Sequence, residues 1–265
     1  MTALAGVLGF PVAHSRSPAM HNAAFEALGL DWRYLKLPVP PPRFEETVRA
    51  LPASGYRGAN VTIPHKLAAL ALADSASDAA RAVGAANTLT FSDGGVAADN
   101  TDAGGFLAAL GESPRGQRAI VLGAGGAARA VVFALAEAGA AEVSVWNRTP
   151  ERARQVADDL GARAVERGEP VDLVVNATSA GLHDDDLSAL TLDRLGSPAA
   201  VFDVVYRGGG PTPFAEWGAR AGARVVEGIE MLVQQGALSF RIWTGRDAPL
   251  DVMRTAARKE ISAHA

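Results

Sequence analysis

Lys66 and Asp102 form an acid–base unit if the fold brings them together. Lys66 closes the run Asn60-Val61-Thr62-Ile63-Pro64-His65-Lys66, and Asp102 closes Asp99-Asn100-Thr101-Asp102. Pro64 is suited to begin a helix, which sets Lys66 in a first turn, where a cation opposes the helix dipole. Helix stability does not recommend a lysine there, although a solvated lysine fits the same pattern. Asp102, at the start of the next predicted helix, is by itself a favourable dipole partner. As neighbours, the carboxylate orients the ammonium and stabilises its charge, and lysine, unlike arginine, can release a proton. Of the 25 basic residues only Lys36, Lys66 and Lys259 are lysines. A lysine kept amid so many arginines hints at a task arginine cannot perform.

Two further polar clusters fall at predicted element ends, where α/β proteins build their sites. In His14-Ser15-Arg16-Ser17, followed by His21-Asn22, two hydroxyls two residues apart can donate to one carboxylate. Ser15 or Ser17 can equally cap the helix predicted from Ser17-Pro18 to Leu28. The other cluster is Gly84-Ala85-Ala86-Asn87-Thr88. The histidines at 14, 21, 65, 183 and 264 lack metal-ligand spacing, so no metal is expected. His65, beside Lys66, reads as structural or solvent-facing. The chain has no cysteine, which excludes disulfides, thiolate catalysis and cysteine–zinc sites.

A third region points to a cofactor. Ala119 to Leu122 reads as a strand, Gly123-Ala124-Gly125-Gly126-Ala127-Ala128 as a turn, Arg129 to Ala138 as a helix, and Glu142 to Trp146 as a second strand. In that setting Gly123 permits the tight turn and Gly125 lets the backbone approach a pyrophosphate. Gly126, Ala127 and Ala128 keep the helix near the strand, with its first N–H groups free for phosphate. An ordinary strand-to-helix turn is the alternative. An NAD-binding chain usually carries an acidic residue after the second strand. Here Asn147-Arg148-Thr149 stands in its place, with Arg152 and Arg154 beyond. Arg148 can pair with a 2′-phosphate bidentately and Thr149 can donate to it, which favours NADP over a merely solvated turn arginine.

The elements that must position these residues alternate strand and helix through the chain. Leu4 to Gly9, Trp32 to Leu37 and Gly58 to Thr62 read as strands, with helices over Pro42 to Leu51 and Pro64 to Ala73. Leu89 to Phe91 and Val96 to Ala98 flank a hairpin turn at Ser92-Asp93-Gly94-Gly95. A helix over Thr101 to Leu110 leads through a surface connection, Gly111 to Gly116, into the glycine-rich unit. Beyond it come strands near 173–176, 200–204 and 224–226, and helices near 151–160, 213–221, 229–243 and 250–262. This alternation predicts two α/β units. With 48% hydrophobic and 20% charged residues the chain supports real cores. A net charge of -4 gives no reason to expect a nucleic-acid partner. The run Leu67 to Ala73 is far too short to span a bilayer, and Met1 to Phe10 lacks a basic leader. A cytoplasmic protein with no membrane partner is the expectation.

These motifs together resemble the shikimate dehydrogenases. Gly9-Phe10-Pro11-Val12-Ala13-His14-Ser15-Arg16-Ser17-Pro18 is similar to the family's opening signature, and residues 60–66 to its lysine motif. Residues 84–88, 100–102, 123–128, 147–149 and Asn176-Ala177-Thr178-Ser179 match further segments, and Glu227-Gly228-Ile229-Glu230-Met231-Leu232-Val233-Gln234-Gln235 its C-terminal motif. The resemblance covers nearly the whole chain in order. It implies reduction of 3-dehydroshikimate to shikimate with NADP, in aromatic biosynthesis. It implies an N-terminal α/β substrate domain, a doubly wound Rossmann-like NADP domain, and last helices that return to the first domain, leaving a cleft between two lobes. The expected boundaries are 1–102 with 236–265, and 103–235.

The resemblance further assigns Ser15 and Ser17 to the substrate carboxylate, with Tyr206 nearby, and Thr62, Asn87 and Gln235 to ring oxygens. Lys66 and Asp102 act at the reacting centre. Gly123, Ala124, Gly125, Gly126, Ala127, Asn147, Arg148, Thr149 and Thr178 belong to the cofactor segments, and Gly228 and Met231 approach the nicotinamide. A homodimer is left open. The chain departs from the family in Tyr206-Arg207-Gly208-Gly209-Gly210-Pro211-Thr212-Pro213, which lacks a proline after Tyr-x and has one extra residue before the threonine. The rival readings are a quinate/shikimate dehydrogenase of broader use and an NADP-binding regulatory protein without turnover.

Overall fold

A computed structural model describes residues 2–93, 95–182, 187–190, 192–207 and 210–263. Gly94 of the expected hairpin turn, His183, His264, Gly208 and Gly209 lie outside the described residues. The chain divides into two compact units: Met1–Gly105 with Leu232–Ala263, and Phe106–Met231.

The first unit contains β1 (Ala3–Gly9), α1 (Ser17–Ala27), β2 (Trp32–Pro38), α2 (Phe44–Ala50), β3 (Tyr56–Val61), α3 (Lys66–Leu72), β4 (Ser75–Ala76), α4 (Asp78–Val83), β5 (Thr88–Ser92) and β6 (Gly95–Asp99). Its sheet has the order β2-β1-β3-β5-β6-β4. The strand directions decide what this sheet positions. β1 runs parallel to β3, with Leu8 opposite Val61, so the segments after both strands leave from one edge. β5 is antiparallel to β3 and β6, pairing Thr88 with Asn60 and with Asp99. The start of β5 and the end of β6 therefore lie at that same edge. Segments 10–17, 62–66, 84–87 and 100–102 are gathered there by topology. Leu8, Phe44, Val48, Ala59, Val61, Ala69, Leu89 and Phe91 pack the core on which the sheet rests.

α5 (Asp102–Leu110) leads into the second unit. There β7 (Arg118–Leu122), α6 (Gly126–Glu137), β8 (Glu142–Trp146), α7 (Pro150–Leu160), β9 (Arg163–Ala164), β10 (Leu173–Asn176), β11 (Ala200–Asp203), α8 (Pro213–Arg220) and β12 (Arg224–Glu227) follow. The sheet is entirely parallel, in the order β12-β11-β10-β7-β8-β9. This is the doubly wound, Rossmann-like arrangement, whose strand order reverses between β7 and β10. β10 and β11 are buried throughout and read as unbroken apolar runs closed by Asn176 and Asp203, as central parallel strands do. Ile120, Leu122, Val174, Val201 and Phe214 share one core cluster. α9 (Gly228–Thr244) and α10 (Leu250–Ala263) complete the chain, with α10 packed on α1.

Several local expectations are corrected. Ser17 does not cap α1: it is the first helical residue and Arg16 stands at the cap position, while Ser15 Oγ accepts the N–H of Ser17 at the start of the helix. Pro64 does not begin α3, which starts at Lys66 with His65 as its cap. The helix expected over 42–51 opens as a 3₁₀ turn, Pro41–Arg43, before α2. The two-residue strands β4 and β9 are too short to leave a period in the sequence. α4 is missed although its signals are present: Ser77 accepts from the Ala80 N–H, and Gly84 closes the helix at φ 71°. The division between units falls at 105/106 and 231/232, inside α5 and α9, because each helix continues through it. Gln235, placed by the expected boundary in the cofactor part, belongs to the first unit.

Candidate active site

In the first unit Lys66 is the first residue of α3 and Asp102 the first of α5. Their side chains, 11% and 6% exposed, form an ion pair in which Nζ donates to Oδ2. The other carboxylate oxygen accepts from Asn87 Nδ2 at 2.8 Å. Asn87 is itself held at both ends. Its Oδ1 accepts the Thr101 N–H at 2.7 Å, and its Nδ2 lies 2.9 Å from Thr101 Oγ1 and 3.2 Å from Gln235 Oε1. The amide orientation is thus determined by its partners, with the nitrogen toward Asp102. The Ala86 N–H donates to the Lys66 carbonyl at 2.9 Å, which ties the turn before Asn87 to the start of α3. A near-dry ammonium–carboxylate pair with fixed hydrogen-bond partners is equipped to orient and move a proton.

The remaining first-unit candidates lie around this pair's supports. The Ser17 N–H donates to Ser15 Oγ at 3.3 Å, and both serines are buried. Thr62 follows β3, and its N–H donates to the Leu8 carbonyl at 2.8 Å. A Cβ added at Gly9 would sit 2.4 Å from Thr62 Cγ2, so glycine is what lets the serine-bearing segment pass beside Thr62. Gln235 projects from α9 and is buried. His65 is buried, stacks on Phe44 and lies with Nε2 2.7 Å from the Val39 carbonyl, so it is structural and not solvent-facing. Among the described residues no group of three or more His, Asp or Glu side chains is placed to hold a metal.

A second layer escaped the sequence reading. Asn60 Nδ2 donates to Ser239 Oγ at 2.8 Å and to Thr88 Oγ1 at 3.1 Å, and Ser239, Thr88 and Thr101 converge within 3.3 Å of one another. The Tyr34 hydroxyl donates to Asn60 Oδ1 at 2.8 Å. Two signals were available: Asn60 is a polar residue in the otherwise apolar end of β3, and Ser239 lies one turn beyond Gln235.

The second unit offers backbone more than side chains. Gly123 turns the chain at φ 123°, and a Cβ there would meet the Ala177 carbonyl oxygen at 2.7 Å. Gly125 caps α6 without any side-chain bond, and the place of its missing Cβ is open. The first N–H groups of α6, from Gly126 and Ala127, are oriented for an anion beside that space. Arg148 and Thr149 are exposed, Asn147 Nδ2 donates to the Thr149 carbonyl at 3.0 Å, and Pro150 starts α7. Arg154 is paired with Glu151 and Glu166. These residues fit a dinucleotide with a 2′-phosphate. Thr178 Oγ1 donates to Asn176 Oδ1 at 2.7 Å and accepts from the Ala180 N–H at 3.1 Å, so it also builds its own loop. A Cβ at Gly228 would lie 2.4 Å from the Val204 carbonyl oxygen, and Met231 is buried. Tyr206 is half-buried in this unit.

Comparison with known proteins supplies the deciding observation. Residues 7–89 match the family model of the shikimate dehydrogenase substrate binding domain, residues 108–183 that of shikimate / quinate 5-dehydrogenase, and residues 228–258 that of the shikimate 5′-dehydrogenase C-terminal domain. The chain belongs to the shikimate dehydrogenase family. It is 44% identical to the shikimate dehydrogenase (NADP(+)) of Methanothermobacter thermautotrophicus, over 98% of each chain. It is 47% identical to the Thermus thermophilus enzyme of the same name, over 96% of this chain and 97% of the relative. The crystal structure of Thermus thermophilus shikimate 5-dehydrogenase in complex with NADP(H) and shikimate superimposes with a TM-score of 0.89 at 44% identity, covering 97% of this chain and 99% of that one. The substrate-domain match spans Ser15, Ser17, Thr62, Lys66 and Asn87, and the C-terminal match spans Gly228, Met231 and Gln235.

Proposed function

We propose that this chain reversibly reduces 3-dehydroshikimate to shikimate with NADPH, in aromatic amino acid biosynthesis, using Lys66 and Asp102 as its acid–base pair. The observation that carries the reading is the ion pair itself, buried and locked from the far side by Asn87. When bound, NADPH supplies the hydride. Lys66 Nζ delivers a proton to the oxygen of the ketone as it becomes an alkoxide, and in the reverse direction takes it back. Asp102 Oδ2 holds Nζ in place and stabilises its positive charge. Ser15 and Ser17 donate to the carboxylate of the substrate, with Tyr206 beside it, and Thr62, Asn87 and Gln235 bind ring oxygens. In the second unit the turn 123–127 receives the pyrophosphate, Asn147, Arg148 and Thr149 the 2′-phosphate end, and Thr178, Gly228 and Met231 the remainder of the cofactor.

A non-catalytic NADP-binding role has no use for a buried Lys–Asp pair, whose desolvation is costly. The same proposal places the protein in the cytoplasm; among the described residues no helix is long and apolar enough to cross a membrane. The test is one assay, absorbance at the reduced-nicotinamide band on mixing protein, NADP and shikimate. Shikimate-dependent reduction of NADP is the expected result. NADP binding without turnover of shikimate or quinate overturns the enzymatic reading in favour of the regulatory one.

A further inference from the structure

We propose that Asp203 is a positioning residue whose buried carboxylate clamps both ends of the 206–211 loop, and so determines where Tyr206 and Thr178 are presented. The inference rests on the functional reading above, in which those two residues serve substrate and cofactor. Asp203 ends β11 and is 1% exposed. Its Oδ1 accepts the Val205 N–H at 3.0 Å, immediately before Tyr206. Its Oδ2 accepts the hydroxyl of Thr212, immediately after Pro211. One carboxylate therefore closes the loop at its base. Thr212 Oγ1 accepts in turn from the Ala215 N–H at 3.1 Å and caps α8, where Pro213 is the first residue. The loop has a fixed entry and a fixed exit, and the exit is the start of a helix.

The same carboxylate reaches the neighbouring loop. Asn176 Nδ2 donates to Asp203 Oδ1 at 2.9 Å and to the Ala180 carbonyl at 3.2 Å. Asn176 Oδ1 accepts both the N–H and the hydroxyl of Thr178, at 3.1 and 2.7 Å. A third contact comes through the backbone, since a Cβ at Gly228 would lie 2.8 Å from the Asp203 carbonyl oxygen. Asn176 and Thr212 were motif positions without a task in the reaction, and Asp203 gives both of them one.

Folding stability does not explain the choice of an acid here. Burial raises the Asp203 pKa to about 6, against the opposing effects of the Thr212, Val205 and Asn176 hydrogen bonds and the Arg207 charge. At neutral pH the ionised group therefore costs stability, yet the three donors that face it require an acceptor.

Asp203→Asn, Asp203→Ala, Thr212→Val and Thr212→Ser are compared with the unmodified chain in three measurements: kinetics with shikimate and NADP, thermal melting at pH 7.5, and amide hydrogen exchange over 204–216. Asp203→Asn and Thr212→Val are expected to raise KM for shikimate about tenfold or more, the equivalent of one hydrogen bond to a charged group. KM for NADP should also rise in Asp203→Asn, with its Tm unchanged or higher. Thr212→Ser keeps the hydroxyl and should keep the unmodified KM. Asp203→Ala should speed exchange at the Val205 amide. Unchanged KM values with a lowered Tm in Asp203→Asn and Thr212→Val describe an ordinary structural residue and overturn the inference, as does unchanged Val205 exchange in Asp203→Ala. Absence of shikimate turnover in the unmodified chain refutes the functional reading instead, while the exchange measurement still decides the clamp.

Discussion

The two units build their sites from different material. In the first, Lys66, Asn87, Asp102 and Gln235 come from four separate segments and meet through side-chain bonds among buried polar groups. In the second, the surface proposed to receive the phosphates is a run of consecutive backbone positions, 123–127, with space beside Gly125 and a helix start behind it. The proton transfer proposed for the first unit requires groups held in a fixed orientation, which interlocked side chains provide. A phosphate group requires only N–H donors and positive charge, which a turn and a helix terminus supply. The contrast extends to the buried titratable groups outside the reaction. Among the described residues both ring nitrogens of His21 in the first unit lack a hydrogen-bond partner, and the ring stacks on Tyr34 at 4.4 Å beside Phe25, Phe240 and Trp243. Asp203 in the second is surrounded by donors.

The largest effect should come from breaking the proton unit. Lys66→Ala should lower kcat by about 10²- to 10⁴-fold, the usual range for a positioned acid or base, with a smaller change in KM. Lys66→Arg should fail as well, because a guanidinium does not exchange the proton. The double variant with Asp102→Asn should lose less than the product of the two single losses. Near-normal kcat in Lys66→Ala would remove the pair from the mechanism and with it the contrast between the units.

Next in size are the opposite pH dependences of the two buried groups. Burial lowers the His21 pKa to about 3, so its neutral form favours folding fully above the ordinary histidine value of 6.5. That contribution is lost as pH falls, at about 1.4 kcal/mol per unit from 6.5 towards 3. Asp203 has the reverse sign. Its raised pKa makes stability highest below about pH 4 and costs about 1.4 kcal/mol per unit as pH rises towards about 6. Denaturant unfolding at a series of pH values should show His21→Phe gaining on the unmodified chain towards acid, and Asp203→Asn gaining towards neutral pH. Gains in the same direction would contradict the burial argument for one of them.

On the cofactor side, Arg148→Ala should lower kcat/KM for NADP by about 10- to 100-fold, as for a lost charged hydrogen bond, and leave NAD nearly unaffected. Measured with both cofactors, an unchanged NADP preference excludes Arg148 from the phosphate site. The smallest effect concerns the substrate. Quinate differs from shikimate by a tetrahedral carboxylate-bearing carbon and an added hydroxyl. If that hydroxyl is buried without a partner, discrimination should be ~1–3 kcal/mol, or roughly 5- to 150-fold in kcat/KM. Equal values would favour the quinate/shikimate alternative.

How much of this was legible in the sequence follows the same contrast. The βαβ unit around Gly123 is local, and its strand, turn and helix could be read in order from residues 118–146. The two parallel strands closed by Asn176 and Asp203 were equally plain as apolar runs. The motifs at 60–66, 84–88 and 100–102 were legible as polar clusters at element ends, and Lys66 with Asp102 as a pair by their chemistry. What joins them was not. The β5–β6 hairpin carries Asn87 to Asp102, but the two meet Lys66 because β5 runs antiparallel to β3, a matter of topology that no local period reports. Ser239 and Asn60 are 179 residues apart, and their bond has no counterpart in spacing. Ser17 and Pro64 show the opposite error, in which local cap and proline signals were overruled by the backbone on either side.

The continuity of α9 across the division between the units has a consequence for how the protein is made. Gln235 and Ser239 complete the polar network of a unit whose other members lie before residue 106. Asn87 emerges 148 residues ahead of Gln235, an interval of roughly 7–30 s at the usual 5–20 residues per second of synthesis. Through that interval the nascent first unit carries Asn87 and Thr88 without their α9 partners, and by its end every strand of the second sheet has been made. The part encoded first is thus the part finished last, and chain termination before α9 would leave the later-encoded sheet whole and the earlier-encoded site open.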